Sequence, residues 1–465
     1  MMSLVEAALA TGGMALHGNP RIEGVSTDTR TIASGELFIA LKGERFDGHD
    51  YVEAAAARGA AAAMVEQAWT EGRTPGLPLL VVADTRLALG YLAAWWRARF
   101  DIPLIGVTGS NGKTTVKEMI AAILRAQAGA DGYDPALAVL ATTGNLNNEI
   151  GLPLMLLRLH ASHRAAVIEM GMNHPGEIAY LTRLAQPTVA LVNNAQRAHL
   201  EGLGGVAEVA RAKGEIFDGL REGGMAVINA DDPFSGLWCE RNAGRSMTRF
   251  GLDESADVRG RAELKALGST LAISAPQGEI EVALRLPGAH NARNALAAAA
   301  AALAAGATLD AVSQGLTFFG GVKGRLQVRA AAAGAVLIDD TYNANPDSAR
   351  AAIDVLAATP GKKILVLGDM GEIGGQTGQF HDEIGGYAKS QGLDQLFALG
   401  EHSELAARNF GAGGQHFNSV EALLKALTPL LDGDTAVLVK GSRFMRMERV
   451  ADAVAADGKT ENGGH

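Results

Sequence analysis

Cysteine is almost missing from this 465-residue chain. Cys239 stands alone, so no internal disulfide can form, which fits a reducing cytoplasm. An excess of positive charge is missing too. The formal net charge of −10 argues against a nucleic-acid or anionic-membrane surface, so any phosphate site must be a local concentration of donors. Long hydrophobic runs are scarce. The longest, Ala295 to Leu309, is mostly alanine between Arg293 and Asp310, and a soluble helix explains it better than a membrane span. The opening "MMSLVEAALATGG" has no basic segment leading into an apolar core, so no signal peptide is expected. Apolar residues make up 48% of the chain, enough for substantial cores in two to four domains. Glycine, at 58 residues, is about twice the ~7% of ordinary usage and implies many backbone-defined turns.

Short apolar runs that end in polar or glycine-rich turns recur along the chain: "IPLIGV", "AAVIEMG", "PTVALVNN", "MAVINADD", "VLIDDTYN", "KKILVLGD", "DQLFALGE" and "TAVLVKGS". Most are followed by helix-like stretches, which indicates an α/β protein with mostly parallel sheets covered by helices on both faces. Three domains are expected. Residues 1–98 form a smaller α/β unit with "LFIALKG" and a helix-like "YVEAAAARGAAAAMVEQA". Residues 99–320 form a central phosphate-loop-type domain. Residues 321–465 form a Rossmann-like domain with four strand candidates and a polar tail, "DGKTENGGH", expected to be disordered. The glycine-rich "FFGGVKG", Phe318 to Gly324, is a plausible hinge between the last two. Alanine blocks such as Ala330 to Ala333 read as compositional.

The stretch "VTGSNGKTTVKEMIAAIL", Val107 to Leu124, is a strand end, a glycine-bearing turn and a helix. Val116, Met119, Ile120, Ile123 and Leu124 recur at helical spacing and define one buried face. The usual phosphate loop has glycine six residues before its lysine. Here that position is Val107. Gly109 and Gly112 nevertheless allow backbone N–H groups to converge on phosphate at a helix N-terminus. Lys113 can neutralise β- and γ-phosphates, and Thr114 can offer a hydroxyl to Mg²⁺. The bland alternative, a plain glycine turn with an exposed lysine, is disfavoured by strand, loop and helix all standing in order.

Three further residues follow in the same unit. Glu169 ends the buried run "VIEMG", where a carboxylate either holds Mg²⁺ or serves as a cap or ion-pair partner. His199 follows "PTVALVNN", and a lone histidine is more often structural than a ligand. Lys213 falls on an apolar stripe of Val206, Val209, Ala210, Phe217 and Leu220. Desolvation disfavours an ammonium there, so the side chain either snorkels outward or is neutral enough to react with CO₂.

"TGSNGKTT" (Thr108 to Thr115) resembles the phosphate loop of the Mur ligase family, ATP-dependent amide-forming enzymes of peptidoglycan precursor synthesis. That family's loop lacks the early glycine. Further resembling motifs span essentially the whole chain: "STDTR", "LFIALKGERFDGHDY", "TTGNLNNEIGLP", "EMGMNHPGEI", "GAHNARNALAA", "IDDTYNANPDS", "VLGDMGEIG" and "VKGSRFMRME". "DDTYNANP" and "GDMGEIG" favour the branch acting on UDP-N-acetylmuramoyl-tripeptide and D-alanyl-D-alanine. The branch one step earlier usually carries "DNPR" in its last domain, which is absent here. A folylpolyglutamate synthase would share the loop but not the N-terminal domain.

The resemblance implies ATP and two Mg²⁺ ions. It implies a phosphate site of Thr108, Gly109, Ser110, Asn111, Gly112, Lys113, Thr114 and Thr115, with Thr114, Glu169, His199 and a carbamylated Lys213 as metal ligands. Asn291 and Asn294, adjoined by His290, match residues near adenine. Arg325 and Asp340 match third-domain residues that reach the ATP phosphates and ribose, which implies closure about Gly320–Gly324. Ser26, Thr27, Asp28, Arg30 and His49 match the region at the UDP end of the substrate. Asn145, Asn147 and Asn148 are expected on the substrate side, and Asn343 and Asn345 at the dipeptide. A cytoplasmic monomer without nucleic-acid partners or membrane insertion is expected.

Overall fold

The computed structural model describes residues 1–73, 76–198, 200–252 and 255–456. Its central sheet has nine strands among the described residues, in the order Gly278–Leu284, Gly268–Ala275, Val258–Lys265, Ser246–Gly251, Met225–Asn229, Val189–Val192, Leu104–Thr108, Ala165–Glu169 and Val139–Ala141. Every pair from Val139–Ala141 to Val258–Lys265 is parallel, and the last two strands return antiparallel. Leu104–Thr108 lies between Ala165–Glu169 and Val189–Val192, so the chain reverses its direction of travel across the sheet at that strand. Open parallel sheets bind ligands at such a reversal, beyond the carboxyl ends of the strands.

Strand alternation assigns the two faces. Leu104, Ala166, Ile168, Ala190, Val192, Ala226 and Ile228 enter one core. Ile105, Val107, Ala165, Val167, Val189, Leu191 and Val227 enter the other, beneath the helices Lys113–Ala130 and Ala289–Ala304. Both faces are dry, as the continuous apolar runs require. The alanine run of the longer stretch is a core helix, and among the described residues no helix is long and apolar enough to cross a membrane.

Two further large sheets accompany this one, besides a two-stranded pair of Met2–Ser3 with Arg21–Ile22. The N-terminal sheet runs Met14–Leu16, Leu79–Val82, Ala62–Glu66, Glu36–Ile39 and Gly24–Ser26. The C-terminal sheet runs Gln327–Ala330, Val336–Asp340, Thr435–Lys440, Lys362–Gly368, Gln395–Leu399 and Gly414–Phe417, parallel except for its first pair. Two expectations change. The stretch from Tyr51 to Ala68 is not one helix: the helix Val52–Ala57 stops, Gly59 turns at φ +87°, and Ala62–Glu66 continues as a buried strand. Alanine's helix propensity yields there to burial between neighbouring strands. The C-terminal domain also has six strands among the described residues, because Gln327–Ala330 and Gly414–Phe417 are short, half-exposed edge strands without an apolar run. The tail "DGKTENGGH" lies outside the described residues.

The N-terminal unit shares one apolar core with the central sheet: Leu4, Leu37, Leu89 and Leu92 belong to the same cluster as Met155, Ile168 and Phe217. The C-terminal unit has cores of its own. Arg97 reinforces the first junction. It is fully buried, and its guanidinium donates to the carbonyls of Ala185 at 3.0 Å and Gln186 at 3.4 Å, at the end of a central-domain helix. Burial brings its pKa down to about 10. Arg97→Ala leaves those carbonyls without their donor at a buried junction and is expected to cost about 2–4 kcal/mol. A thermal melt checks this: a fall in the midpoint of several degrees is expected, and an unshifted melt contradicts it.

Candidate active site

A cleft of about 1500 Å³ opens beyond the carboxyl ends of the central strands. Its lining comes from all three units, from Glu44 and Arg86 through the phosphate loop to Arg325, Asn343 and Arg443. That exceeds the ~300–1,000 Å³ of an ordinary small-molecule site and suits two large substrates together.

The loop backbone is fixed by amides. Gly109 has φ +158° and Gly112 has φ +80°, and Gly112 starts the helix Lys113–Ala130. A Cβ on Gly112 would lie 2.5 Å from Asn294 Oδ1, so the loop needs glycine for space as well as for its torsion. Beneath it runs a chain of asparagines. Asn291 Nδ2 donates to Pro287 O, Asn294 Nδ2 to Asn291 Oδ1, and Asn193 Nδ2 to both Asn294 Oδ1 and Asn111 O. Asn194 accepts from the Asn111 N–H and donates to the Asn111 carbonyl. Ser110 exchanges hydrogen bonds with the Gln196 backbone. Thr108 and Thr115 are buried, and Thr108 Oγ1 donates to Met170 O at 2.8 Å. Asn291 and Asn294 therefore spend their side chains holding the loop. The neighbouring His290 keeps a buried Nε2 without a partner among the described residues, and burial drives its pKa down to about 4, so the ring is neutral near pH 7.

Lys113 folds back over the loop and donates to Gly109 O at 2.7 Å. Its pKa is lowered, first by burial; Glu169 pulls it back up and Arg325 adds to the fall. Glu169 is 2% exposed at the end of its strand. Its Oε1 accepts from Asn147 Nδ2 at 2.8 Å, while Oε2 is buried with no hydrogen-bond partner among the described residues. Lys213 is 1% exposed on the helix Val206–Gly214, with Val209, Ala210 and Phe217 buried about it. It does not snorkel. Burial drives its amine well below the usual lysine range, and the Lys113 charge pushes it further the same way. Lys113 and Glu169 line the cleft, and Lys213, buried outside that lining, lies within electrostatic reach of Lys113. His199 lies outside the described residues. Among the described residues no three His, Cys, Asp or Glu side chains form a metal-binding group.

From the third domain, Arg325 donates to Thr114 Oγ1 at 3.3 Å, lies over the Tyr342 ring at 3.9 Å, and keeps a buried Nε without a partner among the described residues. Asp340 is engaged within its own domain, accepting from Leu326 N at 3.1 Å and from Lys440 Nζ. It fixes the backbone beside Arg325. Asn345 exchanges hydrogen bonds with the Asn111 side chain at 2.8 and 3.3 Å, joining the C-terminal domain to the phosphate loop. Asn343 Oδ1 caps its own following N–H, and Asn148 caps the helix after it. Asn145, Asn147, Asn148, Asn343 and Asn345 all line the cleft. Ser26, Thr27, Asp28 and Arg30 do not: Asp28 and Arg30 pair at 2.7 Å on the N-terminal domain. His49 is buried with both ring nitrogens engaged, to Asp47 and to the Glu66 N–H.

Arg197 is a residue that sequence reasoning passed over. Its backbone and side chain bind Asp347, its guanidinium also holds Glu383 at 3.0 Å, and it stacks on Phe380. The run "NNAQR" after an apolar strand was the available signal, since polar side chains there must point into the crevice.

Three family models match the chain: the Mur ligase family, catalytic domain at residues 21–97, the Mur ligase middle domain at 107–302, and the Mur ligase, glutamate ligase domain at 324–443. The chain is similar to the UDP-N-acetylmuramoyl-tripeptide–D-alanyl-D-alanine ligase of Haemophilus influenzae, with 45% identity over 93% of each chain. Identity to the Escherichia coli enzyme of the same name is 44% over 94% of each. Among solved structures, MurF from Acinetobacter baumannii superposes with a TM-score of 0.88 at 37% identity, covering 97% of this chain and 98% of that one. MurF ligase from Thermotoga maritima in complex with ADP gives 0.79 at 28% identity, covering 92% and 96%.

Arg197→Ala removes the ionic link between the central and C-terminal domains. The expected result is a more extended particle by small-angle X-ray scattering and a KM for ATP raised roughly 3–10-fold. A scattering profile and KM identical to those of the unaltered protein contradict the role of this contact.

Proposed function

The chain belongs to the Mur ligase family, and on that premise we propose that it joins D-alanyl-D-alanine to UDP-N-acetylmuramoyl-tripeptide with ATP, giving the pentapeptide, ADP and phosphate. The observation that carries this reading is Lys113 folded onto the phosphate loop, within electrostatic reach of both Glu169 and a desolvated Lys213. We divide the chain at residues 98 and 320 into UDP-substrate, ATP and closing domains, and assign it to the cytoplasm as a monomer.

A carboxylate is a poor electrophile because attack must expel oxide from an already negative group. Transfer of the γ-phosphoryl to the tripeptide carboxylate creates a leaving group, and the uncharged amine of the dipeptide then displaces phosphate. ATP and the carboxylate repel each other, so cations must gather before either reacts. Lys113 is poised for this, since its ammonium now rests on loop carbonyls that phosphate oxygens can replace. Arg325, held over Tyr342 beside Thr114, supplies the second cation from the closing domain. Neutral His290 offers an unpartnered nitrogen to the base or ribose. An acyl phosphate hydrolyses readily, so the Asn111–Asn345 contact that seals the domains over the loop also excludes water.

The residues present fit Mg²⁺. Glu169 Oε2 is a buried oxygen without a hydrogen-bond partner among the described residues, and an orphaned carboxylate oxygen is costly unless a cation takes it. Thr114, Glu169, His199 and a carbamylated Lys213 would hold two ions. When bound, the metal neutralises charge on the transferring phosphoryl group. Lys213 favours carbamylation because the neutral amine, not the ammonium, adds to CO₂, and burial drives Lys213 toward the neutral form. Asn343 and Asn345 face the dipeptide end, and Ser26, Thr27, Asp28 and Arg30 the UDP end. His49 supports that surface from beneath.

Incubating the protein with ATP and both substrates is expected to give a new amide by mass spectrometry, and Lys213→Ala to give none until acetate is supplied. Phosphate release without amide would identify a simple ATPase instead. A second expectation concerns pH. Because burial lowers the folded pKa of Lys213 below its unfolded value, the unmodified lysine costs stability at low pH, and the cost fades as pH rises through the folded value. Carbamate is lost in the same direction, since protonation removes the lone pair that holds CO₂. With ¹³C-bicarbonate, the unaltered protein should show a carbamate resonance that disappears on acidification, and Lys213→Ala should show none. A resonance of equal intensity in the variant contradicts the assignment.

A further inference from the structure

Lys117 lies one helical turn beyond Lys113 on the same helix and is 1% exposed. A buried cation is expensive, and a long apolar side chain would fill the space without that cost. Its ammonium reaches no cleft surface. It donates instead to the Thr142 carbonyl at 2.7 Å and to the Glu118 carboxylate at 2.5 Å. Thr142 follows the edge strand Val139–Ala141, and its hydroxyl accepts the N–H of Glu169 at 2.9 Å. The Thr142 N–H donates to Val167 O at 3.0 Å, on the Glu169 strand. A continuous polar path therefore runs from the phosphate-loop helix through Thr142 to the backbone of Glu169.

The path joins two elements that carry the metal-binding groups. Thr114 stands on the first turn of the helix that holds Lys117, and Glu169 ends the neighbouring strand. Asn147 holds one carboxylate oxygen, so the aim of Oε2 depends on that contact and on the position of the Glu169 backbone. An error of a few tenths of an ångström between helix and strand would spoil a shared ligand set, because metal sites demand tight geometry.

We propose that Lys117 is a positioning residue: through Thr142 it holds the backbone of Glu169 in register with Thr114, so that the carboxylate meets Mg²⁺ at the phosphates. The inference rests on the metal assignment made above. It explains why a charge is kept in a place where no substrate reaches it.

The test is titration of Mn²⁺ in the presence of ADP, followed by water-proton relaxation, with thermal melts run alongside. Lys117→Met keeps the length of the side chain and removes the donor. It is expected to weaken Mn²⁺ binding roughly 10–100-fold, the usual effect of losing an outer support of a metal ligand, while the melting midpoint moves by no more than about 4 °C. Thr142→Val should weaken binding similarly, and Thr142→Ser should restore it. Unaltered Mn²⁺ binding in folded Lys117→Met overturns the proposal. Should that variant not fold, unaltered binding by Thr142→Val overturns it equally. Glu169→Gln separates the two readings: if it binds Mn²⁺ like the unaltered protein, the metal assignment falls and takes this inference with it, whereas loss there with full binding in Lys117→Met defeats only the inference.

Discussion

Desolvation of two neighbouring lysines, one of them beside the buried Glu169, governs this cleft. Lys113 and Lys213 are both driven toward their neutral forms by burial, and the Lys113 charge pushes Lys213 further the same way. Glu169 and, less strongly, Glu372 offset Lys113, yet one Glu169 oxygen has no hydrogen-bond partner among the described residues. Such an arrangement is poorly satisfied by itself and well satisfied by a polyanion with its metal. Placing the cations in a water-poor pocket strengthens every later contact with phosphate, because fixed charges in a low dielectric need no reorganisation when the ligand's charge shifts.

The three units are joined by different physics, and that difference sets what can move. The N-terminal and central domains share a continuous apolar core, reinforced by Arg97. The C-terminal domain meets the centre chiefly through polar groups: Asn345 on Asn111, Arg197 on Asp347 and Glu383, and Arg325 on Thr114. Polar contacts exchange for water at little net cost, whereas separating an apolar core exposes area at about 25 cal/mol per Å². Opening the second junction would therefore expose less apolar area than opening the first, and Gly321 and Gly324 there take positive φ of +86° and +70°.

Much of this was legible in the sequence, for identifiable reasons. The buried strands read as apolar runs because both faces of a parallel sheet are dry, and Lys213 stood out because a charge on an apolar stripe breaks a periodic pattern. The short edge strands were illegible, since Gln327–Ala330 and Gly414–Phe417 are half-exposed and carry no alternation. Alanine misled at Val52–Glu66, where the same residue serves a helix and then a strand according to what packs on it. Lys117, Lys440 and Arg197 were passed over because their partners lie far away in sequence: Thr142, Asp340, and Asp347 with Glu383. Long-range pairing of polar residues leaves no periodic trace. It becomes visible only when the fold brings the partners together.

The loop's asparagines bear on why a site for so much negative charge is framed by neutral amides. Asn193 and Asn194 hold the Asn111 backbone with both donors and acceptors, and Asn294 and Asn291 back Asn193 in turn, so the loop's geometry is set before any ligand arrives. Carboxylates could accept the same backbone N–H groups, but they would repel phosphate and draw Lys113 away from it. Lysines or arginines could attract phosphate, but they would repel Lys113 and could accept nothing from the loop. The amide alone supplies rigidity without net charge. It leaves the field of the pocket to the few cations whose positions the reaction requires.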